Sequence, residues 1–196
     1  MKNLNDINIS PKNGKEEFTQ GNQNTGFELI DFWKWSVSDL VSNATRGKLA
    51  EFIVAMAIGF DKTKVRIEWD AYDLISPNGI KIEVKSAAYI QSWRQSDYSN
   101  IQFSIKPARA WDEASKNKRG EAERHADVYV MCLLKHKDQA TLDPMKMEQW
   151  EFYVVTTKLL NEQFGNQKQI SLSSLRRLAN ACSFGELACE IDKINH

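Results

Sequence analysis

The chain has 196 residues, of which 42% are hydrophobic and 27% are charged, as is ordinary for a single globular domain with a sizeable core. Lys and Arg together number 26, as do Asp and Glu, so the formal net charge is zero. This balance argues against a protein that coats nucleic acid non-specifically, because such proteins carry a basic excess.

The sequence indicates neither a membrane segment nor a secretion signal. Its longest strongly apolar run, residues 49–58, is too short to span a bilayer and contains Glu51. The N-terminal segment has no apolar core. Cys132, Cys182 and Cys189 form no CxxC pair, which favours reduced thiols in a cytoplasmic protein.

Residues 1–26 are rich in Asn, Gln, Lys and Glu, which predicts a flexible polar tail. From Phe27 onward apolar residues recur at helical spacing, so we place one domain at 27–196 and begin it with a helix. A second helix follows, with Thr45 as its predicted N-cap. Its apolar character from 49 to 58 predicts burial on most sides.

Glu51 is the one carboxylate in that apolar helix. An isolated buried carboxylate is unfavourable unless it is paired, metal-bound or at the helix edge. One interpretation is that Glu51 lies on a narrow solvent stripe or pairs with Arg46 or Lys48. The other is that it points towards a polar site formed by the segment that follows.

That segment is a predicted β-hairpin, preceded by a short predicted strand at 64–67. Ile80, Ile82 and Val84 alternate with Lys81, Glu83 and Lys85, which is typical of a strand with one buried face. Pro77-Asn78-Gly79 suits a three-residue loop, with Gly in the left-handed conformation.

A three-residue loop pairs Ser76 with Ile80 and therefore places Asp73 directly opposite Glu83. Lys85 then lies on the same face, two residues further on. A two-residue loop would place Asp73 and Glu83 on opposite faces instead. Two facing carboxylates repel each other, so this arrangement predicts a divalent cation and Lys85 as the compensating positive charges.

Asp73, followed by Glu83-Val84-Lys85 on the next strand, resembles the motif of the PD-(D/E)xK nuclease superfamily. The match by motif runs from about residue 49 to 89, and Tyr72 stands at the variable position of the name-giving proline. The resemblance implies an α/β fold with a restriction-endonuclease-like mixed β-sheet core flanked by helices, in a single domain. The predicted order of later elements, with an uninterrupted apolar strand at 128–134, agrees with that plan.

The resemblance also implies roles for individual residues. Asp73, Glu83 and the carbonyl oxygen of Val84 would hold Mg²⁺ or Mn²⁺, Lys85 would be catalytic, and Glu51 would serve the same site. Two weaker candidates remain. Gln91 matches a Gln that some branches carry after the ExK triplet, and Asp70 rivals Asp73 but has the opposite strand parity.

These residues predict a metal-dependent DNA endonuclease-like phosphodiesterase, acting on duplex or branched DNA. A homodimer is compatible with the sequence, as are restriction, repair and mobile-element roles. Two other classes stay open: a catalytically inactive nucleic-acid-binding or regulatory module of the same fold, and an α/β interaction protein with no active site. The presence together of Asp73, Glu83 and Lys85 favours the enzyme.

Overall fold

A computed structural model describes residues 7–66, 71–109, 111–112, 117–118 and 121–195. Contacts divide the chain into two compact units. One comprises Met1–Asp39 and Asp61–Ile67, and the other comprises Leu40–Phe60 and Glu68–His196. Within the described ranges, no helix combines the length and the apolar character that a membrane span requires.

The first unit contains a β-hairpin and a helix. Strands β1 (Glu17–Gln20) and β2 (Gln23–Glu28) are antiparallel, and α1 (Leu29–Val37) follows with a capping box between Glu28 and Asp31. The sequence predicts a flexible tail over residues 1–26, whereas this hairpin occupies part of it. Every residue of β1 and β2 is exposed, so backbone hydrogen bonds form the hairpin without an apolar pattern that could signal it.

The second unit is built on a four-stranded mixed sheet, which confirms the predicted α/β class. Strand β4 lies between β3 and β8 and runs parallel to β8, whereas the β3–β4 and β8–β9 pairs are antiparallel. The strands of this unit are β3 (Leu74–Ile75), β4 (Lys81–Ala88), β5 (Gln102–Ser104), β6 (Trp111–Asp112), β7 (Asn117–Lys118), β8 (Val128–Leu134), β9 (Trp150–Thr156) and β10 (Gln169–Ser171). Its helices are α2 (Asn43–Ala57), α3 (Thr157–Phe164), α4 (Leu172–Leu178) and α5 (Phe184–Asp192), with 3₁₀ turns at Met147–Gln149 and Lys193–Asn195.

Apolar clusters cover both faces of this sheet, as the uninterrupted apolar sequence of β8 predicts. On one face, Ile82 and Val84 pack with residues of α2 and α5. On the other, Ala87 and Tyr129 pack with residues of α3, α4 and the small β5–β10 sheet. Each central strand therefore alternates its side chains between two cores.

Three local expectations need correction. The N-cap of α2 is Ser42, whose hydroxyl accepts a hydrogen bond from the Thr45 amide, so Thr45 lies inside the helix. Burial of α2 on most sides is wrong, since Phe52 and Met56 are 48% and 38% exposed. The strand expected at 64–67 is not formed by residues 64–66, and residue 67 lies outside the described ranges.

Candidate active site

The β3–β4 hairpin has the predicted three-residue loop. The amide of Ser76 donates to the carbonyl of Ile80 and the amide of Gly79 donates to that of Ser76, both at 2.9 Å. Gly79 has a φ of 83°, the left-handed conformation that the loop requires. Leu74 pairs with Ile82, so continuing this register by one residue places Asp73 opposite Glu83. The predicted three-residue loop and the register of β3 with β4 are confirmed, and Asp73 is the residue directly before β3.

Asp73 is fixed at this position through the backbone of β4. Its amide donates to the Ile82 carbonyl at 3.0 Å, and its Oδ2 accepts a hydrogen bond from the Val84 amide at 2.8 Å. The N–H and C=O of one strand residue point to the same side of the strand. The Val84 carbonyl therefore lies at the strand edge that the Asp73 carboxylate occupies, while the Val84 side chain is buried in the α2-side core.

Glu83 and Lys85 form an ion pair on the site face of β4. Their side chains are partly shielded from solvent, with 21% of Glu83 and 29% of Lys85 exposed. Burial is the main cause that raises the pKa of Glu83 above its ordinary value, and the negative charges of Asp73 and Glu51 raise it further. Lys85 opposes this shift without reversing it. Burial, together with the two neighbouring carboxylates, thus outweighs the stabilisation that Lys85 gives to the ionised form of Glu83.

Glu51 contributes to this charge from α2. The helix packs its neighbours Ala50, Ile53 and Val54 against the face of the sheet that carries Ile82 and Val84. Glu51 itself is half-buried, and it lies within electrostatic range of Glu83, whose pKa its charge raises. The structure therefore brings Asp73, Glu83 and Lys85 together at the hairpin and places Glu51 within electrostatic range of Glu83.

Tyr129 is a side chain of this site that the sequence did not single out. It pairs with Glu83 across the parallel β4–β8 ladder and is only 4% exposed. Burial, followed by the charge of Glu83, raises the pKa of Tyr129 from 10.0 to about 12, while Arg124 opposes the shift. Tyr129 is thus a neutral phenol beside two carboxylates. It stands in an uninterrupted apolar run, and only the register of two distant strands reveals its neighbour.

The shifted pKa of Tyr129 predicts a loss of stability in strong base. An unfolded tyrosine ionises near pH 10, whereas Tyr129 in the fold stays protonated to about 12, so rising pH favours the unfolded state across that interval. We expect the wild type to lose up to about 2–3 kcal/mol more unfolding free energy between pH 9 and 12 than Tyr129→Phe. Urea titrations at several pH values measure this difference. Tyr98→Phe, at a half-exposed tyrosine, should keep the wild-type dependence; equal curves for Tyr129→Phe and wild type would contradict the expectation.

Of the two weaker candidates, Gln91 lies away from the hairpin site. Gln91 is 9% exposed and belongs to a buried network: its Oε1 accepts from Arg46 at 3.0 Å, and its Nε2 donates to the Ala88 carbonyl and to Ser99 Oγ. Strand β4 ends at Ala88, so the parity that would align Gln91 with Glu83 does not continue. Asp70 lies outside the described residues.

The donor atoms of this site suit a hard cation. Within the described ranges, no three His, Cys, Asp or Glu side chains gather closely enough to hold a metal ion unaided. Mg²⁺ in proteins is commonly held by one or two carboxylates together with waters, and it takes oxygen ligands. Two carboxylates and one carbonyl at a strand edge fit that ion better than a metal that needs a full side-chain cage.

Comparison with known proteins gives one family. The family model for bacteriophage T4 endonuclease IV matches residues 1–174, a span that contains every residue of the site. No curated protein matches the chain.

Proposed function

This chain belongs to the bacteriophage T4 endonuclease IV family, and on that premise we propose that it is a Mg²⁺-dependent DNA endonuclease with a PD-(D/E)xK-type site. The family assignment makes the chain a nuclease with DNA as its substrate. The observation that supports the metal-dependent part is the hydrogen bond from the Val84 amide to Asp73 Oδ2, which holds this carboxylate against β4 next to Glu83.

The closeness of Asp73 to the largely buried carboxylate of Glu83 supports a cation at this position. Asp73 and Glu83 would hold it through carboxylate oxygens, with the Val84 carbonyl as a third ligand and Mn²⁺ as an alternative ion. Burial is the main cause of the raised pKa of Glu83, with smaller contributions from Asp73 and Glu51, and a cation would stabilise the ionised carboxylate. Glu51 would act on the metal through intervening water or by its charge.

The residues of this chain divide the chemistry among them. Bound Mg²⁺ would polarise the scissile phosphate and lower the pKa of an attacking water. Once Glu83 binds the metal, Lys85 would be released from its ion pair with Glu83. Its ammonium would then point towards that water or towards the charge that develops on phosphorus. Asp73 would stay oriented by the Val84 amide while the phosphate enters. Tyr129 would supply a neutral donor at the base of the site.

One observation favours a second candidate, a DNA-binding module that does not cleave. Glu83 already has Lys85 as its cationic partner, so the charge at the site is partly compensated without a metal. In that case Lys85 would be structural, and DNA binding would not depend on divalent ions. A chelator distinguishes the two candidates: it should abolish cleavage by the enzyme, whereas it should leave DNA binding by the module unchanged.

Cleavage by the full chain tests the proposal. We expect Mg²⁺ or Mn²⁺ to support cleavage of at least one substrate in a panel of duplex, single-stranded and branched DNA, and EDTA to abolish it. Asp73→Ala should lower this activity by at least about 100-fold, and additional Mg²⁺ should restore little of it. The matched control is Glu162→Ala, which removes an exposed carboxylate on α3 and should leave the rate unchanged.

A contaminating nuclease would cleave equally well in Asp73→Ala preparations. Protein that binds DNA but cuts none of the panel with either ion would establish the binding module instead.

A further inference from the structure

The loop that follows β4, residues 89–99, forms one wall of a cleft of about 600 Å³. We call it the β4-loop cleft. Both aromatic and cationic side chains line it, among them Trp93, Tyr98, Arg94 and Lys137. None of these residues takes part in the site on the hairpin.

The side-chain amides of Gln91, which is buried, and Gln95, which is half-buried, hold the loop in its shape. Gln95 accepts from the Gln91 amide at 2.6 Å and donates to the Tyr89 carbonyl and to Ser99 Oγ. Ser99 also closes the loop by donating its amide to the Tyr89 carbonyl at 2.9 Å. Through Arg46, Gln91 connects the loop to α2. The cleft is therefore preformed, and little ordering is needed when a ligand enters.

Its aromatic side chains are exposed although the loop around them is ordered. Trp93 and Tyr98 are 54% and 50% exposed. Tyr98 packs edge-on against Tyr89 at a centroid distance of 6.1 Å, which fixes the ring while leaving much of it accessible. An exposed, oriented aromatic ring is a stacking surface, and a nucleobase is the planar group that DNA offers to it.

The cationic side chains lie beside these rings. Lys137 Nζ is 4.3 Å from the ring centre of Tyr89 and 5.2 Å from that of Tyr98, and the Tyr98 hydroxyl donates to the Lys137 carbonyl at 2.8 Å. Arg94 is exposed at the same cleft. Asp97 also lines it, with Oδ1 accepting from the Tyr98 amide. An ammonium held over two rings beside a stacking surface matches a phosphate next to a base.

The cleft is close to the hairpin site along the chain. Lys85 is three residues before the end of β4, so the loop starts roughly 10 Å beyond it. Ala87 and Tyr89 pack on the same apolar cluster as Tyr129, so the loop continues from the sheet face that carries the site. DNA bound at the hairpin site would therefore need to extend by only a few nucleotides to reach the start of the loop.

We propose that the β4-loop cleft binds one unstacked nucleotide of the DNA, with the base against Trp93 or Tyr98 and a phosphate at Lys137 and Arg94. The proposal rests on the proposed function for the identity of the strand, but binding in the cleft needs no metal and no cleavage. The base is either unpaired before binding or extruded from a duplex, and both sources present the same chemistry to the cleft.

Equilibrium binding in EDTA tests the cleft separately from catalysis. The probe is a fluorescein-labelled DNA 12-mer of mixed sequence, used single-stranded in one arm and as a fully paired duplex in the other. We expect Trp93→Ala to weaken binding by roughly 5- to 100-fold, the range for loss of one stacked base. Trp35→Ala is the matched control, because Trp35 is a tryptophan 85% exposed in the other unit. It should leave the affinity within about twofold of wild type.

The two arms distinguish the source of the base. A loss in the single-stranded arm alone supports a base that arrives unpaired, and a loss in both arms supports an extruded base. Lys137→Ala should weaken binding and lower the dependence of log K on log salt by about one, which a purely structural lysine would not do. Lys158→Ala on α3 is its control.

Unchanged affinity of Trp93→Ala in both arms would overturn the proposal, as would an equal loss in Trp35→Ala. Cleavage data bear on the proposed function alone. Wild type that never cleaves, with Trp93→Ala still defective in binding, would refute the nuclease mechanism and leave the cleft in place. Normal cleavage with a silent Trp93→Ala would do the reverse.

Discussion

Lys85→Ala is expected to lower Mg²⁺-dependent cleavage by about 10²–10³-fold, the range for loss of one donor to a developing charge. Truncation opens no core cavity, because 29% of the Lys85 side chain is exposed and its methylenes lie at the polar site. Metal binding should survive, since Asp73, Glu83 and the Val84 carbonyl remain. The measurement is single-turnover cleavage at saturating DNA, together with a Mg²⁺-dependent thermal shift that the variant should retain.

Lys81→Ala controls for the loss of a positive charge on the same strand. Lys81 has the same parity as Lys85, is exposed, and lies 5.5 Å from the ring centre of Tyr72. Its removal should change the cleavage rate by no more than a few-fold, because one phosphate-directed charge is a small part of an electrostatic interface. Equal losses in both variants would mean that Lys85 acts through general charge and has no catalytic role.

Glu83→Gln is expected to have opposite effects on activity and stability. Cleavage should fall by at least about 100-fold, since loss even of an outer-shell partner costs 10–100-fold at metal sites. The metal-free protein, however, should become more resistant to unfolding at neutral pH. The folded state raises the pKa of Glu83 through burial and through repulsion by Asp73 and Glu51, so the ionised carboxylate destabilises the fold and a neutral amide does not.

The sign of that stability difference is testable by pH. A group whose pKa is raised on folding contributes stability below its unfolded value of 4.5 and loses it as pH rises through the folded value. The advantage of Glu83→Gln in EDTA should therefore be small below pH 4.5 and grow towards neutrality. Mg²⁺ should raise the melting temperature of wild type and leave that of Glu83→Gln unchanged. A variant less stable than wild type at every pH would show that Lys85 compensates Glu83 fully.

The sequence predicts those parts of the site in which the residues are close together along the chain. Asp73, Glu83 and Lys85 lie within one hairpin, and the chemistry of Pro77, Asn78 and Gly79 fixes the loop length that sets their register. The sequence also predicts that β8 is buried on both faces, because seven consecutive apolar residues are typical of a strand covered on both sides.

The rest depends on contacts between distant segments. Tyr129 faces Glu83 only because β8 pairs in parallel with β4, and no short-range pattern encodes that register. Extending the strand parity past Ala88 does not locate Gln91, because the chain leaves the sheet there. The side-chain amide of Gln91 instead bonds to Arg46 and to the Ala88 carbonyl. The exposed hairpin of β1 and β2 carries no apolar alternation, so composition alone suggested a tail.

Along β4 the site and the core alternate residue by residue. The side chains of Glu83 and Lys85 point to the candidate active site, while those of Ile82 and Val84 are buried under α2. Inserting or deleting one residue here would send the carboxylate and the lysine into the apolar core and bring two aliphatic side chains out to the phosphate. One residue more or fewer in the turn would turn Asp73 away while leaving its partners in place. The length of chain from Asp73 to Lys85 is therefore a stricter requirement of this site than the identity of the turn residues that connect them.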